Sequence, residues 1–261
     1  MSFKQSNWAE ILDSEREMVL QGEQRFGAYY VNAVLISGLL ARCVKSARPD
    51  RWIFGLFLSQ VRKHHTLALF SSVRLHRTQA MMDLRQTLEA GACAAYSIAN
   101  TDPADFADVD EFGILDPSKK LTSRRYTWLD ENFKEESATI KRLKQNINES
   151  SAHSNIGDGY RNFQFSQDNR SADTPFFDLE DEYFVKTDLW LIANVGIGLM
   201  RLFFRANKSL DAIVFADDFE ARLKELTIEN NRLRTETMQT IGYKKANEII
   251  NKRARARAQE T

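Results

Sequence analysis

From Leu56 to Ala90 the chain reads LFLSQVRKHHTLALFSSVRLHRTQAMMDLRQTLEA, without one Gly or Pro. Apolar residues recur three and four positions apart along it, the spacing that gathers side chains on one face of a helix. Residues 118–156 and 199–241 are equally free of breakers, and the whole chain of 261 residues holds only 4 Pro and 11 Gly. The pattern predicts a mainly α-helical protein.

Outward from that stretch, the helical pattern covers 51–100. As one straight rod it would run about 74 Å at ~1.5 Å per residue, so a kink is expected at 62–66. Upstream, a first helical region spans 7–45, with Trp8, Ile11, Leu12, Met18, Phe26, Tyr29, Ala33 and Leu40 on its inner face, and Pro49 just beyond its end. Downstream, 102–117 is a loop with six acidic residues and no basic one. Asp116-Pro117 reads as a helix start, and Thr127 with Asp130 as a second of the capping-box kind. Leu129, Phe133, Ile140, Leu143 and Ile147 form the buried stripe that follows. Aromatic residues on both sides of a polar turn mark 157–186 as a hairpin or irregular insertion. An apolar helix at 184–206 follows, and a last helix begins near Ser209. The expected organisation is a helical bundle domain over 1–208 and a C-terminal helix with a basic tail over 209–261.

Within the last helix, Phe219, Leu223, Leu226, Asn230 and Leu233 are spaced four, three, four and three apart. This is the grammar of a short coiled-coil seam, where a buried Asn selects register and partner number. It implies either a homodimer through these five residues or packing on the protein's own body. Past Gly242 the chain turns basic, and Lys252, Arg253 and Arg255 offer phosphate contacts to RNA or DNA.

Composition removes several classes. Thirty-six basic residues balance 36 acidic ones and 43% of the chain is hydrophobic, which excludes a disordered chain and a histone-like polycation. Cys43 and Cys93 lie in apolar stretches, and Met1–Ser14 is already amphipathic rather than signal-like, so a reducing, cytoplasmic location is expected. The apolar runs 28–44 and 189–204 carry polar interruptions and fall short of the ~20 residues a bilayer needs, so core helices and no membrane contact are expected. None of the four histidines belongs to a zinc motif, and no dinucleotide-binding, Walker A or G-x-S-x-G pattern occurs. No metal and no cofactor is expected.

Some polar groups do not fit the stripes. On one helix, Phe70, Val73, Met81, Leu84, Leu88, Ala92 and Ala95 share a sector that also holds Arg74 and Arg77, with Arg85 at its edge. A guanidinium there needs a carboxylate or an anionic ligand. The acidic loop 102–117 is the structural candidate, and a phosphate-binding cleft the functional one. Arg85 and Glu89 stand at i, i+4, close enough to bridge. His153, where the stripe of the 130–147 helix dies out, reads as a C-terminal dipole partner or as a proton carrier beside an arginine.

Residues 80–92, AMMDLRQTLEAGA, followed some sixty residues later by Glu149-Ser-Ser-Ala-His153, resemble a group of poorly characterised bacterial helical proteins related to the HEPN superfamily. The likeness covers roughly 51–206 and rests on an L-R-x-x-x-E helix, a later helix ending in Ser and His, and a further apolar helix. It implies a HEPN-like bundle, often dimeric, with Arg85, Glu89 and His153 meeting at a polar centre. Many such proteins are ribonucleases or belong to toxin–antitoxin and phage-defence systems. Their catalytic signature, Arg then His after four to six residues, does not occur here.

The expected function is therefore a non-catalytic interaction protein in a bacterial defence or mobile-element system. The alternatives are a metal-independent ribonuclease using His153 with Arg85 or Arg77, and a nucleic-acid binder using the tail and the basic stretch 42–77.

Overall fold

The computed structural model describes residues 2–4, 7–151, 159–166, 171–179, 181–245 and 247–248. It is mainly helical, as the absence of breakers predicts.

The first helical region is three helices rather than one: α1 (Trp8–Leu20), α2 (Gly22–Phe26) and α3 (Ala28–Arg42). Asn7 starts α1 by accepting the Ala9 N–H at 3.0 Å, as N-cap residues do. Gly27 divides α2 from α3 with φ of 55°, a left-handed conformation that glycine adopts without a Cβ penalty. Of the expected inner face of α1 only Ile11 is buried, while Trp8 and Leu12 are 74% and 64% exposed. The reason is position: α1 rides on the outside of the bundle, where it packs against α2 and the long helix over 52–73.

That helix, α4 (Trp52–Val73), pairs with α5 (Arg77–Ala99) as an α-hairpin. The break falls at Arg74–His76, not at 62–66. Residues 62–66 hold nothing that breaks a helix, and His65 is fully buried there. At the turn, Leu75 adopts φ of 60°, and its carbonyl accepts the Asp178 N–H at 2.9 Å.

The central element is α8 (Glu182–Asn207), which crosses α3, α4 and α5 and buries Leu189, Ile192, Met200 and Phe203 completely. Burying each such side chain contributes ~1.5–3 kcal/mol. A Cβ at Gly91 would stand 2.4 Å from Leu199, and one at Gly196 would stand 2.8 Å from His65; both glycines are there to let helices approach. Charged residues at both ends of the 189–204 run are helical too, so α8 is longer than its apolar run suggests. By length and composition it is able to cross a membrane, and 61% of its apolar window is buried inside the fold.

The chain after α8 forms a strand before its last helix. Asn207 accepts the Ala212 and Ile213 N–H groups at 2.8 and 2.9 Å, holding β7 (Ile213–Phe215). β7 pairs antiparallel with β2 (Val44–Ala47). The last helix, α9 (Phe219–Gln239), therefore starts ten residues later than expected. Its seam of Phe219, Leu223, Leu226, Asn230 and Leu233 is buried against α3 and α8 of the same chain. The seam is spent on the protein's own body, the second of the two expected arrangements.

The acidic segment 102–117 is a hairpin of β3 (Ala107–Val109) and β4 (Leu115–Pro117). Asp116-Pro117 ends a strand, and α6 (Leu121–Asn132) begins four residues further on. Thr127 lies inside α6; the break comes at Phe133, and α7 (Lys134–Ser151) follows. The expected stripe survives across the two helices, with Leu129, Ile140 and Ile147 buried. In the insertion, β5 (Gln164–Ser166) pairs with β6 (Ser171–Asp173), so a hairpin is present but its second strand falls within the expected polar turn, and Phe176, Phe177 and Leu179 lie beyond it; β1 (Ser2–Lys4) adds a parallel strand.

Candidate functional site

The polar centre lies where α6 and α7 cover α5. Arg85, Glu89 and Cys93 stand at i, i+4 and i+8 on α5, so one row of the helix presents a guanidinium, a carboxylate and a thiol. Glu89 Oε1 is 3.5 Å from Arg85 Nε and 2.8 Å from Lys144 Nζ on α7. The Lys144 side chain is only 17% exposed. From α6, Arg125, 5% exposed, donates to the Cys93 sulfur at 2.7 Å and to the Glu89 carbonyl at 3.3 Å. Its guanidinium lies 4.8 Å from the centre of the Tyr126 ring, and Lys144 donates to the Tyr126 hydroxyl at 3.3 Å.

These neighbours set the protonation states. Burial pushes the Glu89 carboxyl up, but Lys144, Arg85 and Arg125 together outweigh it and hold the group below its ordinary range. Burial pushes the Cys93 thiol up, and the Arg125 charge only partly offsets this. Cys93 is therefore a neutral thiol rather than an activated nucleophile. Chemically, the cluster ties α5 to α7 through one ionised carboxylate, and α5 to α6 through the Arg125 bonds to the Cys93 sulfur and the Glu89 carbonyl.

Arg85 and Glu89 thus meet as expected. His153, and with it the third member of the centre, lies outside the described residues, as do Lys252, Arg253 and Arg255. Arg74 and Arg77 belong elsewhere. Arg74 approaches Glu15 at 3.6 Å and donates to the Phe70 carbonyl, while Arg77 pairs with Asp188 at 2.8 Å. The acidic segment is not their partner, because it follows the far end of α5, roughly 34 Å away at ~1.5 Å per residue. The break at Arg74–His76 also resets the helical phase, so Arg74 does not share a sector with Leu84 and Leu88.

Three participants escaped the sequence reading: Arg125, Tyr126 and Lys144. One signal was present, since Arg125 stands four residues before buried Leu129 and so puts a charge on an apolar face. A second polar group also went unread. Asp83, 5% exposed, accepts from Gln79 Nε2 at 2.8 Å and lies 2.9 Å from His64 Nδ1, joining α4 to α5. Among the described residues, no three His, Cys, Asp or Glu side chains come together as a metal centre requires.

Comparison with protein-family models, with curated proteins and with solved structures found no match. The functional reading rests on this chain's own residues.

Proposed function

We propose that this chain is a HEPN-like helical protein that works by binding a partner, in a bacterial defence or mobile-element setting, and not by catalysis. The order of elements supports the likeness: α5 carries L-R-x-x-x-E, α7 reaches Ser151, and apolar α8 follows the insertion. Two buried free thiols, Cys43 and Cys93, suit the reducing cytoplasm.

The observation that carries the non-catalytic reading is the closure of Glu89 by Arg85 and Lys144. A carboxylate held below its ordinary range is a weak general base near neutral pH, because catalytic groups work best with pKa values near the working pH. A guanidinium already sharing that carboxylate is not set aside for a developing phosphorane charge.

The test is RNA cleavage in the presence of a chelator. The parent protein is expected to cut labelled single-stranded RNA no faster than His153→Ala. Cleavage that needs His153, with an unchanged melting temperature in the variant, would replace this reading with the metal-independent ribonuclease.

A further inference from the structure

Neither α3 nor α4 carries an acidic residue. Between residues 24 and 82 nine basic side chains stand against Asp50 alone, and Asp50 already bridges Arg48 and Arg51. The two helices pack side by side: Arg62 Nε donates to the Leu40 carbonyl at 3.2 Å, and the Ser37 and Thr66 hydroxyls are 3.4 Å apart. Both rest on α8, so their solvent faces point the same way.

That shared face is apolar. A helix that is apolar all round is ordinarily buried. From Ala28 to Ala41 α3 has no charged residue, yet Val34 and Leu35 are 36% and 40% exposed and Ala41 is exposed as well. On α4, Trp52 and Leu56 stand one turn apart and are each 53% exposed. Scattered apolar residues need no explanation, but an apolar strip rimmed by charge marks an interaction surface.

The rim is cationic. Arg42 closes α3 and folds back along it, since a Cβ at Gly38 would stand 3.4 Å from Arg42 Nη1. Lys63 is exposed on α4. Neither Arg42 nor Lys63 has a carboxylate at ion-pair distance among the described residues, so both charges are open to a partner.

A nucleic acid and an anionic bilayer both offer negative charge to a surface of this breadth. The aliphatic side chains decide between them. Nucleic acids are held by hydrogen bonds and by ring stacking, to which Val34, Leu35 and Leu56 contribute neither. A bilayer takes aliphatic side chains below its headgroups, holds Trp at the interface and draws Lys and Arg to its phosphates. We propose that the α3–α4 face docks the protein on an anionic lipid surface. Val34, Leu35, Trp52 and Leu56 enter the headgroup layer, and Arg42 and Lys63 meet the phosphates. Polar interruptions and short runs oppose a spanning helix, but surface contact needs only an exposed apolar strip beside cations. The proposal does not depend on the HEPN-like reading.

Sedimentation of the full chain with vesicles tests it, using phosphatidylcholine alone and an equal mixture of phosphatidylcholine with phosphatidylglycerol. The chain should bind the mixed vesicles the more tightly, with affinity falling as salt rises. Arg42→Ala with Lys63→Ala should weaken that binding about tenfold or more, since each cation at a charged surface counts for roughly fivefold. Leu35→Gln with Leu56→Gln should weaken it as well, and because all four side chains are exposed both variants should melt near the parent. Brominated acyl chains in the mixed vesicles should quench the parent's fluorescence more than that of Trp52→Phe. Equal quenching, failure of the parent to bind mixed vesicles, or full binding by either folded double variant would each overturn the proposal. A chain that binds a single-stranded oligonucleotide and not the vesicles would assign the face to nucleic acid, and the proposal would be wrong.

Discussion

Asp178 caps α5 from a hundred residues away: its carboxylate accepts the Arg77 N–H at 2.7 Å. The Asp178 N–H in turn donates to the Leu75 carbonyl at 2.9 Å, so one residue of the insertion holds both sides of the α4–α5 turn. His76 packs against both Phe176 and Phe177 at ring separations of 5.1 and 5.6 Å, which fixes the same contact. Asp178→Ala should cost about 1 kcal/mol, the usual loss for an N-cap, with Asp178→Asn losing less. Denaturant midpoints of the three proteins measure this; equal midpoints would mean the cap carries no weight.

Glu89→Gln should destabilise the protein by roughly 1 kcal/mol, because three cations then share no carboxylate. The effect depends on pH in a defined direction. The folded carboxyl is held below its unfolded value by Lys144 and Arg85 against the opposing effect of burial. Its stabilisation is therefore complete above pH ~4.3 and is lost as pH falls through the lower folded value. Melting temperatures of parent and variant should converge on acidification.

His65 governs a different window. It is fully buried, its Nε2–H donates to the Ile192 carbonyl at 3.0 Å, and burial lowers its pKa to about 4. The unfolded chain takes up this proton near pH 6.5 and the folded one does not until about 4. Stability is thus whole above 6.5 and declines between these two values, by at most ~1.4 kcal/mol per pH unit. His65→Gln should start less stable and show a flatter decline over that interval. An unchanged slope would assign the decline to other groups.

Asn230 sits at 1% exposure, accepting from Asn32 Nδ2 at 3.0 Å, while its backbone carbonyl accepts from Trp190 Nε1. Asn230→Leu should cost ~1–3 kcal/mol by stranding the Asn32 amide. Adding Asn32→Leu should recover part of that loss, since the Asn32 oxygen is already without a donor. Light scattering should find the same mass for all three proteins. A change of mass in Asn230→Leu would mean that α9 selects an oligomer after all.

Much of the helical architecture was legible in advance. The run from Leu56 to Ala90, the stripe through Leu129, Ile140 and Ile147 and the α9 seam all carry their period in the residues themselves. The i, i+4 pair Arg85–Glu89 is equally local. Where the long helices end was not legible. No residue at Arg74–His76 is a breaker, and the turn exists because Asp178 and the Phe176–Phe177 pair hold it from a distant segment. The strand β7 escaped for the same reason, since it depends on Asn207 and on pairing with β2.

The site divides along the same line. Residue types and helical period determined by themselves that the chain would fold as helices, which faces would be apolar, and which charged residues on α5 would be neighbours. Only the tertiary structure decided that Glu89 meets Lys144, that Arg125 is buried against Cys93, and that the α9 seam closes inside one chain. Periodicity is a property of consecutive residues, whereas a partner across the bundle is chosen by how whole helices pack, and that choice is made by the summed burial of the core rather than by any one stretch of sequence.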